Sequence, residues 1–572
     1  MLTPMATERD MARGMKKGLT SYGDAEFSLF LRKAFIKAMG FSDDALARPI
    51  IGITDTASDF NPCHGNVPAL IAAVKRGVML EGGLPMAFPT ISIHESFAHP
   101  TSMFLRNLMA LDTEEMLRAQ PMDAAVLIGG CDKTIPAQLM GAASVDLPAL
   151  VLPVGPMLVG HHRGEVLGAC TDCRRLWGQF RAGAMDDAEI EAVNSRLAPT
   201  FGTCMVMGTA STIACMTEAL GMALPGSATI PATHADRLRA AEEAGRAAVR
   251  LARNGGPRPS EVMTEAAFRN AFTVLQAIGG STNALIHFTA IAGRLGIPVD
   301  LDEFDRIGRE VPVLIDLKPS GAHYMEHFHW AGGVPALLRE LAPFLDLEAP
   351  TVTGAPLRAA HDAAEIVPGQ DVIRSRENPI SVGGGLAVLR GNLAPRGALI
   401  KRSAATPRLL AHEGRAVVFS SIADMEARLD DPALDVTEGD VLVLQNAGPI
   451  GAPGMPEAGY IPIPRKLARA GVKDMLRLSD ARMSGTAFGA IVLHITPEAA
   501  IGGPLALVRS GDRIRLDAEA RRLDLLVDDA ELARRRATWT PPAPPPRGYA
   551  WLYHQHVLQA DEGCDFDFCL GK

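Results

Sequence analysis

The stretch DAAVLIGGCDKTIPA, Asp123 to Ala137, decides how this chain is read. Five apolar residues closed off by turn formers read as a buried strand, and the Gly129–Gly130 pair hands it over to a loop. A thiol, a carboxylate and an amine then stand side by side at Cys131, Asp132 and Lys133. Working outward, RPIIGITD before it and LPALVLPVG after it repeat the short apolar run closed by Gly, Pro or Asp. DMARGMKK, VPALIAAVKRGVMLEGG and ADRLRAAEEAGRAAVRLARNGG carry helical spacing instead. In the last of these Leu238, Ala241, Gly245, Ala248 and Ala252 share a face, and the Gly pair supplies the stop. Alternating strands and helices predict an α/β fold, with a mostly parallel sheet in the N-terminal part.

From about Glu348 to Pro379 Pro and Gly recur with no sustained period, which sets a boundary near Ser375 and gives domains 1–375 and 376–572. Beyond it come GLAVLRGN, GALIKRS, RAVVFSS, GDVLVLQN, GAIVLHITP and GDRIRLDAEARRLDLLV, short apolar runs with tight turns. They predict a strand-rich, barrel-like or sandwich second domain with a few helices. TPPAPPP then reads as an extended spacer before an aromatic arm carrying Trp551, Tyr553, His554 and His556.

Composition bounds the function. A chain of 572 residues with 47% hydrophobic and 21% charged residues is globular, and its net charge of -9 leaves no basic footprint for nucleic acid. The first twenty residues lack an apolar core followed by a cleavage site, so a cytoplasmic protein is expected. The uncharged run from Leu197 to Thr217 is loaded with Thr, Ser and Gly and reads as buried structure, with no membrane span. Eight cysteines are too sparse for a disulfide framework and point to metal binding or catalysis.

Cys63 in NPCHGN and Cys131 follow expected strands, and Cys204 in FGTCMVMG shares their Gly- or Pro-rich setting. Strand exits are where open α/β sheets bind ligands. Each thiol alone is ordinary core material. Asp132 and Lys133 beside Cys131 are not, and oxygen donors suit a hard cation. An iron–sulfur cluster normally takes four Cys, so three would leave an iron open to substrate as a Lewis acid. Cys170 and Cys173 form CTDC, a zinc or redox spacing, without a second pair at zinc-ribbon distance. Glu95 and Glu457 sit in loops flanked by stiff apolar text. Ser484 lies in a Gly-bounded turn before AIVLHI, where a hydroxyl beside a metal centre can act as a base.

These segments resemble the dehydratase family that includes dihydroxy-acid, phosphogluconate and sugar-acid dehydratases. GGCDKTIPA is similar to its first signature and SDARMSGTA, Ser479 to Ala487, to its second. NPCHGN, GGSTNALIH, GNLAPRGALIK and GPIGAPGMPE follow in family order across essentially the whole chain. The resemblance implies that Cys63, Cys131 and Cys204 hold a cluster, 2Fe-2S in preference to 4Fe-4S. It further implies that Glu95, Asp132 and Glu457 bind Mg²⁺ together with Lys133 as a carbamate, that Ser484 is the base and that Thr486 lies against substrate. GACTDCRRLWGQF and the C-terminal arm resemble the aldonic-acid dehydratases acting on arabinonate or xylonate, which implies a sugar-acid substrate taken to a 2-keto-3-deoxy acid. Dihydroxy-acid dehydratase of branched-chain amino-acid synthesis is the alternative, and a non-catalytic metal or redox protein built on CTDC is the rival from another class. A homo-oligomer, dimer or tetramer, is expected, with His556 on the arm reaching substrate across a subunit interface.

Overall fold

The computed structural model describes residues 13–19 and 22–571. The reading of a missing leader falls largely on residues 1–12, outside the described residues. Of the helix expected over DMARGMKK, the described part is a 3₁₀ turn, Gly14–Lys16.

Four strands, β1 (Ile50–Asp55), β2 (Leu84–Pro89), β3 (Ala124–Gly129) and β4 (Ala149–Pro153), form a sheet in the order β2-β1-β3-β4. Every pair is parallel. β3 and β4 are buried along their whole length, which is why they read as unbroken apolar runs. Helices Val67–Leu80 and Ala235–Asn254 pack against each other, and glycine makes the close approach possible. A Cβ at Gly77 would strike the Glu242 carbonyl, and one at Gly245 the Val74 carbonyl. Gly255, at φ +72°, ends the longer helix in the left-handed region. A hairpin of β5 (Gly160–His162) and β6 (Glu165–Leu167) leads into the helix Thr171–Arg181 that begins within CTDC.

The second sheet holds β7 (Leu386–Leu389), β8 (Gly397–Lys401), β9 (Ala411–Phe419), β10 (Val441–Leu444), β11 (Arg477–Ser479), β12 (Ile491–Thr496), β13 (Arg513–Asp517) and β14 (Arg522–Leu525). Its order is β14-β13-β9-β10-β11-β12-β8-β7. The two ends nearly close into a barrel at Arg390, whose N–H donates to the Arg521 carbonyl and whose carbonyl accepts from Leu523 N–H, both at 2.9 Å. The expected strand-rich, barrel-like part is therefore present. Its centre, β9 to β12, is parallel, which the short apolar runs did not distinguish. Val441 and Val443 face one apolar cluster while Leu442 and Leu444 face another beneath the helix Ile422–Arg428.

This topology positions the site. Cys63 and Cys131 follow the carboxyl ends of β1 and β3, Glu457 follows that of β10, and Ser484 follows that of β11. Among the described residues no helix is long and apolar enough to cross a membrane, and the Leu197–Thr217 run is a loop entering the buried helix Thr209–Ala219.

Candidate active site

The thiols come together through backbone contacts. Cys63 sits in the 3₁₀ turn Pro62–His64 and is within hydrogen-bond reach of Cys131. The neighbouring His64 ties their loops: its Nε2 accepts from the N–H groups of Gly130 and Cys131, both at 3.0 Å, and its Nδ1 donates to the Thr56 carbonyl at 2.8 Å. Burial lowers the His64 pKa to about 4, so the ring is neutral, as that bonding requires. Gly202 N–H donates to the Pro62 carbonyl at 3.2 Å, and a Cβ at Gly130 would lie 3.2 Å from Thr203 Cγ2. The segment leading to Cys204 thus lies against the turns carrying the other two. Cys204 Sγ is 3.1 Å from Cys170 Sγ, and Cys170 in turn is within hydrogen-bond reach of Cys173. The sequence reading had set those two apart from the others. The hydrogen bond that the Cys63 thiol donates to Cys131, together with burial, pushes the Cys63 thiol well up. Metal ligation would have to reverse this, since the thiolate is the ligand.

The carboxylates form the other end. Glu95, in the turn Glu95–Phe97, accepts from Thr101 Oγ1 at 2.6 Å, from Ser102 N–H at 3.3 Å and from the Ser102 hydroxyl. Lys133 Nζ lies 3.4 Å from Glu95 and directly on Asp132. The fully buried Arg482 spans the two parts of the chain, with Nη2 3.0 Å from Glu95 Oε1 and Nη1 2.7 Å from Glu457 Oε1. Burial alone would raise the Glu95 pKa, but Arg482, Lys133 and the two hydroxyls hold it well below the usual carboxylate range. At Glu457 burial wins over Arg482, and its pKa is raised. Among the described residues no three ligating side chains are already drawn to one point. Two cations, Lys133 and Arg482, lie between the three carboxylates. The donor chemistry still fits the implied groups, with hard oxygens around Lys133 for a divalent cation and thiols at the neighbouring loops for iron.

The loop from Arg482 to Thr486 joins the two ends. Ser484 Oγ and Thr486 Oγ1 are 2.7 Å apart. Thr171 of CTDC donates its hydroxyl to the Thr486 carbonyl at 2.9 Å, and Asn283 Nδ2 donates to the Met483 carbonyl at 2.9 Å. A Cβ at Gly208, four residues after Cys204, would lie 2.7 Å from Thr486 Cγ2. One five-residue loop therefore holds Glu95 and Glu457 at its start and packs beside the Cys204 segment at its end.

The arm docks on its own chain. Its helix Gly548–His556 buries Tyr553 against Phe104 and Phe566, and Tyr549 donates to the Phe104 carbonyl at 2.9 Å. His556 pairs with Asp567 at 3.0 Å and stacks edge-on to Phe568 at the surface. It makes no hydrogen bond or ion pair to the Ser484 loop in this chain. Sequence reasoning missed Arg482, Thr101, Ser102 and His64. The charge of Arg482 inside the second signature was the one available signal.

A model described as Dihydroxy-acid/6-phosphogluconate dehydratase N-terminal matches residues 48–360, and its C-terminal counterpart matches residues 371–564. The chain is 48% identical over 555 residues to an L-arabinonate dehydratase of Rhizobium leguminosarum bv. trifolii, covering 96% of this chain and 95% of that one. It is 47% identical to a 6-deoxy-6-sulfo-D-gluconate dehydratase of Pseudomonas putida, covering 92% and 91%. It is 41% identical to a dihydroxy-acid dehydratase of Moorella thermoacetica, covering 93% and 97%. With both halves matched and the identity spread over nearly the full length, the chain belongs to the dihydroxy-acid/6-phosphogluconate dehydratase family of hydro-lyases.

Proposed function

We propose that the protein removes water from a sugar acid, a 2,3-dihydroxy carboxylate of the pentonate class such as L-arabinonate or D-xylonate, to give a 2-keto-3-deoxy acid. The observation that carries this reading is the Arg482–Thr486 loop, which grips Glu95 and Glu457 at its start, carries a hydroxyl pair and packs at its end against the segment that follows Cys204. Glu95, Asp132 and Glu457, with Lys133 as its carbamate, would hold Mg²⁺, and Cys63, Cys131 and Cys204 would hold an iron–sulfur cluster, 2Fe-2S by resemblance. When bound, these groups supply Lewis-acid stabilisation of the enolate that develops next to the substrate carboxylate and of the departing hydroxyl.

The chain's own residues do the rest. Ser484 Oγ, as its alkoxide, takes the proton from C2, with Thr486 Oγ1 beside it to donate a hydrogen bond. The C3 hydroxyl leaves, receives that proton and departs as water, and the enol tautomerises to the keto acid. Arg482 keeps Glu95 ionised. Support for the sugar-acid class is the greater identity to the L-arabinonate enzyme than to the dihydroxy-acid enzyme.

A panel of pentonates, hexonates and 2,3-dihydroxyisovalerate, assayed for 2-keto acid, tests the substrate class. Turnover confined to dihydroxyisovalerate would replace the sugar-acid reading with the branched-chain one. Ser484→Ala should retain metal and substrate binding and lose roughly 10²–10⁴-fold in kcat. An undiminished kcat would move the base elsewhere.

A further inference from the structure

Lys401 ends β8 and is 1% exposed. Lys133, the other fully buried lysine among the described residues, has Asp132 and Glu95 beside it. Lys401 has no carboxylate within ion-pair distance among the described residues. The polar contact it makes is one hydrogen bond, from Nζ to the Gly485 carbonyl at 3.2 Å. Burying an amine with so little compensation is costly, and a methionine would fill the same volume without that cost. The cost is visible in the lysine itself, because burial pulls its pKa down to about 7.

The contact falls on one particular peptide unit. The Gly485 carbonyl and the Thr486 N–H belong to the same rigid plane, so holding the oxygen aims the N–H. That N–H donates to Ser484 Oγ at 3.4 Å. On the other side Gly485 is pressed against Ser281, where a Cβ would collide, so the plane is gripped from both directions. We propose that Lys401 is a positioning residue: by fixing the Gly485–Thr486 peptide it points an N–H at Ser484 Oγ and stabilises that oxygen when it has lost its proton. A hydrogen bond to the carbonyl end also polarises the peptide and strengthens its N–H as a donor.

The inference rests on Ser484 being the base, and a double-mutant cycle on the metal-loaded full chain separates the two claims. Lys401→Met is expected to lower kcat roughly tenfold or more with KM for the sugar acid unchanged within about twofold, as expected when a preorganised donor is lost. Its Tm should hold or rise, because an uncompensated buried amine has been removed. In the Ser484→Ala background the same change should have no further effect on kcat. Wild-type kcat in Lys401→Met, an equal loss in both backgrounds, or a loss accompanied by a lowered Tm would overturn the proposal. Wild-type kcat in Ser484→Ala alone would instead overturn the reading of the base.

Discussion

Arg482 shows how much one side chain can organise. It reaches Glu95 across 387 positions of sequence and Glu457 across 25, and it is wholly buried, so its charge is balanced by those two carboxylates and not by water. Removing one member of such a set leaves the others uncompensated, at about 3–5 kcal/mol. Arg482→Met should therefore lower Tm sharply, and millimolar Mg²⁺ should recover part of the loss by supplying a replacement cation, as calorimetry with and without the metal will show. His64 makes a second residue-scale case. Its folded pKa of about 4 lies below the ordinary 6.5, so between those values the unfolded chain binds a proton that the native ring refuses. Stability is therefore fully present above pH 6.5 and falls as pH drops toward 4, by up to about 3 kcal/mol from this residue. Urea unfolding across that range should show the slope, and His64→Asn, which can accept and donate without titrating, should flatten it.

At the scale of elements, the C-terminal arm connects loops that approach from different strands. Tyr553, Val557 and Phe566 share a cluster with Met103 and Phe104, which follow the Thr101–Ser102 grip on Glu95, and with Ile450 and Met455, which precede Glu457. Tyr553→Ala should cost about 3–5 kcal/mol, the range for emptying a buried aromatic site. Limited proteolysis should then open the 448–457 loop first, and Mg²⁺ affinity should weaken. The sequence made the strands legible because β1, β3, β4 and β10 are short apolar runs with turn residues at both ends, and burial on both faces leaves that imprint. It made Asp132 and Lys133 legible because charge at a strand exit has no packing reason. It could not reveal the arm on Phe104, the carbonyl held by Lys401 or the nearness of Cys170 to Cys204. Each of these is a contact between distant segments with no local periodicity to betray it.

For the whole molecule, the decisive geometry is the meeting of two sheets at their strand exits. Barrel closure underlies one of them: at Gly391 a Cβ would run into the Leu523 carbonyl, next to the Arg390 bonds that join β7 to β14. Gly391→Ala should destabilise by roughly 1–3 kcal/mol in urea unfolding, with the loss in the second sheet, because an overpacked seam forces the strands apart. Kcat should fall as well, since β8 next to that seam ends in Lys401. The Arg482 bridge has a further consequence in the order of biosynthesis. The three thiols and Glu95 leave the ribosome about 250 residues before Glu457, which at 5–20 residues per second is an interval of roughly 10–50 s. Over that interval Glu95 has Thr101, Ser102 and Lys133 beside it, and Arg482 is still to come. The charge balance of the site is therefore completed in two stages: the half carried by the first sheet waits for the second to bring Arg482 and Glu457.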